Sequence, residues 1–178
     1  MKQSKTLFIT QTAVLIAALI AVQFVTKSLG TWVTGSLVNF ILILSTMIVG
    51  ISGGLMVAFL SPFFAFFFGI GIPIIQLVPC IAVGNIALVL TYGLLMKHLP
   101  DQIHSIVKWI ISIPSAAIIK FFVLYILVVK LALSLIPNLP QQKVAVLSTT
   151  FGVPQLFTAL IGGALAFIIV PLVKKSMK

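Results

Sequence analysis

The chain has 178 residues, of which 61% are hydrophobic and only 7% are charged, and its mean hydropathy is +1.33. A soluble domain of this size cannot present such a composition to water, so soluble classes are excluded. The apolar runs are long and uninterrupted, which predicts spanning helices and not barrel strands. We therefore expect an all-α membrane protein, with residues 1–178 forming one compact bundle of six transmembrane helices.

The charge is almost entirely lysine. The net charge is +10, all eleven basic residues are lysines, and Asp101 is the single acidic residue. Because the lysines lie singly or in pairs at predicted helix ends, they suit anionic lipid head groups better than nucleic acid. Cys80 is the one cysteine and lies inside an apolar run, so neither a disulfide nor a metal site is predicted.

The first apolar segment covers roughly Leu7 to Val25. Lys2 and Lys5 precede it as in a secretory signal, but the apolar core is too long and no clear cleavage site follows, which favours a mature helix. At 100° per residue one helix face carries a run of small side chains within about 80°, namely Thr6, Thr10, Ala13, Ala17 and Ala21. Such a face allows close approach by another helix, either in the same chain or on a different subunit.

Five further helices are expected after the first. Their approximate ranges are Leu37–Val49, Leu55–Gly69, Leu77–Met96, Ile106–Leu135 with an interruption at Pro114, and Thr150–Val173. The third helix has its own small face, made of Gly54, Ala58, Ser61, Ala65 and Gly69.

Lysine distribution predicts the orientation. With both termini in the cytoplasm, seven lysines lie inside and about three outside, which satisfies the positive-inside rule. The inner set is Lys2, Lys5, Lys97, Lys108, Lys174, Lys175 and Lys178, and the outer set is Lys27, Lys130 and Lys143. The long loops Ser28–Ser36 and Ser134–Thr149 then face outward, where they could cover a site.

Several functions are disfavoured by missing residues. No predicted span holds a carboxylate for a coupling ion, and no G-x-x-x-x-G-K-[ST] loop is present. Ser36 and Ser52 lie in turns resembling those of nucleophiles, but His98 and His104 lie in the cytoplasmic loop Lys97–Ser105 and cannot reach Ser36. We therefore predict neither an enzyme nor a cofactor.

Lys120 is the most informative single residue of the sequence, because it is a charged residue within an apolar span. It lies near the middle of the fifth span, where a charge costs at least ~2.5–3.5 kcal/mol, so it either snorkels, stays neutral, or meets an anionic or carbonyl group of a ligand. Ala116 and Ala117 one turn earlier would leave room for such a ligand. The polar and aromatic residues grouped with Lys120 as candidate ligand contacts are Asn39, Asn85, Gln155 and Trp32.

Size, topology and the Ala13-x-x-x-Ala17-x-x-x-Ala21 pattern together resemble the substrate-binding S component of an energy-coupling factor (ECF) vitamin transporter. The resemblance implies that the alanine face docks on a transmembrane coupling subunit driven by two ATPases. It also implies that a vitamin binds near the outer surface of the cell membrane and that the S component topples to carry it inward. A largely apolar outer half with amides and one lysine would suit a bulky vitamin with amide side chains, such as cobalamin, or a carboxylate such as pantothenate.

Two other functions remain open from the sequence. One is an accessory or assembly subunit without a small ligand, in which the alanine face only binds a partner and Lys120 faces lipid. The other is a self-sufficient facilitator, which would show flux in liposomes without ATPase subunits.

Overall fold

The computed structural model describes residues 4–70 and 73–176, and every regular element in that part of the chain is helical. Lys2, Gly71 and Lys178 lie outside the described residues. A 3-10 turn, Lys27–Leu29, follows the first helix, and a π-helical segment, Tyr125–Ala132, follows the fifth. The α-helices are α1 (Lys5–Thr26), α2 (Gly30–Val49), α3 (Ile51–Phe67), α4 (Leu77–His98), α5 (Ser105–Leu124), α6 (Leu133–Leu135), α7 (Gln141–Thr150) and α8 (Val153–Ser176).

Four continuous helical stretches in the described part of the chain are long and apolar enough to cross a membrane. They are Lys5–Val49, Leu77–His98, Ser105–Leu135 and Gln141–Ser176. The first contains both α1 and α2, and α3 is an apolar helix of only 17 residues. The all-helical prediction is confirmed, and the lengths and composition of these helices suit a membrane protein.

The chain reverses between α1 and α2 within three residues. Gly30 has a φ of +84°, a conformation that glycine adopts without steric cost, and α2 packs back against α1. The Thr34 hydroxyl donates to the Thr26 carbonyl at 2.7 Å and fixes this corner. The prediction of a loop over Ser28–Ser36 is therefore wrong, because most of this segment, including Trp32, forms the first turns of α2.

The second predicted loop, Ser134–Thr149, is also wrong in its later half. Gln141–Thr150 forms α7, because this segment contains no glycine or proline and buries Leu147 in a cluster with Leu124 and Phe151. In the fifth helix, Pro114 lies within the continuous α5. The change in helical geometry comes instead at Tyr125, where the π-helical segment begins.

Of the two small-residue faces, the one on α3 is buried in the bundle and the one on α1 is exposed. On α3, Gly54, Ala58, Ser61 and Ala65 are buried, and α3 packs against α2 and α4, although the predicted fifth member Gly69 is exposed. On α1, the core is contacted by Leu15 and Leu19, and the face made of Thr6, Thr10, Ala13, Ala17 and Ala21 is exposed. The α1 face therefore does not pack within the described part of this chain.

Aromatic contacts define one end of the bundle. The Trp109 ring lies 5.5 Å from that of Tyr92 and 5.6 Å from that of Phe167, so the end of α4, the start of α5 and the end of α8 meet. We call this the lysine-rich end, because the neighbouring helix termini carry Lys97, Lys108, Lys174 and Lys175. The α1–α2 corner and the start of α8 lie at the opposite end.

Candidate ligand-binding site

A cavity of about 290 Å³ lies toward the end of the bundle opposite the lysine-rich end. It is lined by residues from α1, α2, α3, α4, α5, α7 and α8, so most of the bundle contributes to its wall. Four of the five residues that the sequence grouped as ligand contacts line it together: Lys120, Asn39, Asn85 and Gln155.

Lys120 is held by two amide oxygens. Its side chain is only 3% exposed, and its Nζ donates to Asn39 Oδ1 at 2.6 Å and to Asn85 Oδ1 at 2.7 Å. Lys120 therefore neither snorkels to the surface nor faces lipid. These contacts join α5 to α2 and α4 through a single ammonium group.

Two hydroxyl groups orient the amides. Asn39 Nδ2 donates to Thr158 Oγ1, and Asn85 Nδ2 donates to Ser61 Oγ, each at 3.4 Å. Both amides thereby direct their oxygens toward Lys120 and their nitrogens away from it. The network extends to α8 and α3, so five helices fix the position of the lysine.

No acidic side chain compensates the charge of Lys120. Asp101, the single acidic residue of the sequence, pairs with Lys108 at 3.2 Å in the loop before α5, at the lysine-rich end. An ammonium has three donors, and the two amides are its only acceptors among the described residues. In its protonated form Lys120 therefore has a third donor and a positive charge that would suit an acceptor or anionic group of a ligand.

The cavity has polar groups at its buried end, around Lys120, and apolar side chains along its walls. Phe66, Phe151 and Leu124 contribute apolar surface, and Thr31, Thr34 and Lys27 line the part near the α1–α2 corner. Along α2 the lining extends from Gly30 to Asn39, a rise of about 13 Å for nine residues. The cavity thus reaches from the exposed Lys27 down to the buried Lys120.

A close helix contact positions Asn39. At Gly162 of α8, an added Cβ would lie 2.5 Å from the Ser36 carbonyl oxygen and 2.7 Å from Asn39 Cβ. Only glycine lets the backbones of α2 and α8 approach this closely, and the approach brings Thr158 within reach of the Asn39 amide.

Three residues that were expected beside a ligand do not line this cavity, namely Trp32, Ala116 and Ala117. Trp32 is 52% exposed, its ring lies 6.1 Å from that of Phe157, and it lines a second, more open cavity of about 420 Å³. Thr31 and Thr150 line both cavities. Ala116 and Ala117 are fully buried in the hydrophobic core, so the room expected beside them is filled by packing.

The side chains considered as catalytic nucleophile or base, Ser36, His98 and His104, also do not line the cavity. His98 Nδ1 lies 2.9 Å from the Leu94 carbonyl oxygen, and the His104 side chain accepts from the Ile106 amide at the start of α5. The Ser36 hydroxyl donates to the Trp32 carbonyl within α2. Among the described residues no cluster of His, Cys, Asp or Glu could hold a metal ion.

Sequence reasoning did not group Gln23, Ser61 or Thr158 with the site, although Gln23 and Ser61 line the cavity and Thr158 accepts from Asn39. Gln23 lines the cavity and is an amide within an apolar span, the same signal that singled out Asn39 and Asn85. Ser61 and Thr158 have no such signal, because hydroxyl groups in membrane helices commonly bond to their own backbone.

Comparison with known protein families, curated proteins and solved structures finds no match to this chain.

Proposed function

We propose that this chain is the membrane-embedded substrate-binding subunit of an ECF-type ABC importer. It captures a vitamin or related micronutrient from outside the cell and delivers it inward together with a separate energising module. The single observation that carries this proposal is the buried Lys120 at the base of the cavity, without an acidic partner among the described residues.

The ligand carries an anionic or strongly accepting group. Two lysines and no acidic side chain line the cavity, so its electrostatic potential favours anions. A carboxylate beside Lys120 would accept the third ammonium donor and neutralise the buried charge. The amide oxygens of Asn39 and Asn85 already point at the ammonium, so ligand binding requires no reorientation there.

Cavity size favours a small vitamin. A volume of about 290 Å³ is at the lower end of the usual range for ligand pockets. Pantothenate fits such a volume and has a carboxylate, whereas the corrin ring of cobalamin with its side chains is too large. We therefore favour a pantothenate-sized carboxylate over cobalamin.

In this proposal the chain crosses the membrane six times and both termini lie in the cytoplasm. The spans are α1, α2, α3, α4, α5 with its π-helical continuation, and α8; the 17 residues of α3 are at the lower limit for crossing a bilayer. By the positive-inside rule the lysine-rich end faces the cytoplasm of a multi-pass cell-membrane protein. The cavity then opens outward, as capture from outside requires.

The exposed α1 face is the proposed contact with the coupling subunit. Ala13, Ala17 and Ala21 are exposed, so they are available to a helix of another protein. In this proposal that helix belongs to a transmembrane subunit that works with two ATPases, since this sequence has no P-loop of its own.

One observation favours a second candidate, the accessory subunit without a ligand. Asn39 and Asn85 satisfy two of the three ammonium donors, so the polar network could serve only to fix the packing of the helices. The cavity beside this network favours the ligand-binding function, because a purely structural network needs no opening.

Small molecules released from detergent-purified protein, quantified by mass spectrometry, test the proposal. We expect a stoichiometric micronutrient in the wild-type protein and a loss of at least tenfold, about 1.4 kcal/mol, in Lys120→Met. Lys130→Met is the matched control, because Lys130 lies outside the cavity, with its Nζ 5.6 Å from the Tyr125 ring centroid. Only lipids in all three samples, even after incubation with a vitamin mixture, would favour the accessory subunit.

A further inference from the structure

Gln23 contributes an unsatisfied polar atom to the cavity. It lies one turn before Lys27 near the end of α1, and its side chain lines the same cavity as Lys120. Its Oε1 atom is buried and has no hydrogen-bond donor within the described residues. Three buried side-chain polar atoms lack a partner in the described part of the chain, and of these only Gln23 Oε1 belongs to a residue that lines the cavity.

An unpaired buried amide oxygen is costly, and more so where lipid surrounds the protein. The other amides of the site show how such groups are otherwise satisfied. Asn39 and Asn85 accept from Lys120, and Gln155 Nε2 donates to the Thr150 carbonyl at 3.1 Å. Of these four amides, only Gln23 has an oxygen that is both buried and without a hydrogen-bond donor among the described residues.

Gln23 and Lys120 face the cavity from different walls. Helix α1 packs against α2 and α3, whereas α5 packs against α4 and α8. Lys120 provides donors, while Gln23 Oε1 provides an acceptor. A molecule that contacts both residues must therefore offer an acceptor to Lys120 and an N–H or O–H donor to Gln23.

Building on the proposed function, we infer that Gln23 is a second ligand contact and that the ligand carries two complementary groups. One is the anionic group beside Lys120, and the other is an N–H or O–H group that donates to Gln23 Oε1. The ligand class is thus a hydroxylated or amide-containing carboxylic acid. A simple fatty acid, which has a carboxylate but no further donor, does not meet this requirement.

The test compares Gln23→Leu with Gln155→Leu. Leucine keeps a similar volume but has no polar atoms, so Gln23→Leu removes an unsatisfied acceptor and should leave the thermal midpoint of ligand-free protein unchanged or higher. Gln155→Leu removes a hydrogen bond to Thr150 and should lower the midpoint. In protein purified with its natural ligand, Gln23→Leu should retain at least fivefold less of the molecule that mass spectrometry detects in wild type.

A lower thermal midpoint for Gln23→Leu, similar to that of Gln155→Leu, would show a structural role and overturn the inference. So would wild-type retention of ligand by Gln23→Leu when Lys120→Met has lost it, and that result would leave the proposed function intact. A retained molecule without an N–H or O–H donor beyond its acid group would also overturn it. Unchanged retention in Lys120→Met would instead contradict the proposed function itself.

Discussion

Lys120 Nζ lies 2.6 Å from Asn39 Oδ1, although 81 residues separate the two in sequence. Asn85 completes the arrangement from a third helix at 2.7 Å. Three residues that are costly to bury singly thus satisfy one another at the base of a cavity. Among the described residues the ammonium has no third acceptor, and this donor is the basis of the proposed function.

The coupling between Lys120 and Asn85 can be measured by a double-mutant cycle. Asn85→Leu should lower the free energy of unfolding in detergent, because Lys120 then loses one of its two acceptors. In the Lys120→Met background the same change should cost much less, which gives a coupling energy of roughly 1–3 kcal/mol. An equal loss in both backgrounds would mean that Asn85 stabilises the protein mainly through Ser61.

The contact between α2 and α8 depends on Gly162. In Gly162→Ala the new Cβ would meet backbone atoms of Ser36 and Phe40, which cannot move without displacing α2. We expect destabilisation of about 1–3 kcal/mol and weaker ligand retention, because Asn39 moves with the helix.

Gly35→Ala is the control for this prediction. There the new Cβ would meet the Thr158 methyl group at 3.2 Å, a side-chain contact that can adjust, so a smaller loss is expected. If thermal unfolding showed the same loss for both variants, close backbone approach at Gly162 would not be the cause.

The two small-residue faces predict opposite responses to a bulky side chain. Ala17→Trp should leave the thermal midpoint and ligand retention near wild-type values, because Ala17 is exposed. Ala58→Trp should prevent folding, because Ala58 is fully buried within the bundle.

Partner binding provides the second readout for Ala17→Trp. In the proposed function this variant no longer co-purifies with a coupling subunit and its ATPases from native membranes, although its ligand is retained. Loss of ligand and fold together would show that the α1 face packs internally.

Composition and periodicity predicted the helical class and most helix positions, because long apolar runs leave few alternatives in a bilayer. They did not predict the start of α2 or the existence of α7. Trp32 and Ser36 looked like loop residues, but the positive φ of Gly30 lets the chain reverse within three residues. Such corners depend on local geometry that residue types only suggest.

The polar site was partly predictable for a clear physical reason. Amides and lysines in apolar spans must find partners, so Lys120, Asn39, Asn85 and Gln155 could be grouped before their distances were known. Sequence could not tell that Trp32 faces a different cavity, since this depends on where α2 begins. Gln23 carries the same signal, an amide within an apolar span, but the small-residue face is the more prominent pattern on α1.

Native mass spectrometry of the intact protein, released gently from detergent, can show whether Lys120 holds a bound molecule. We expect one small acidic molecule bound per chain in the wild-type protein and in Lys130→Met, and its absence in Lys120→Met. An equal occupancy in Lys120→Met would contradict the role of Lys120 as the ligand-binding residue. A wild-type protein that carries only lipid, even after exposure to a mixture of vitamins, would contradict the substrate-binding function.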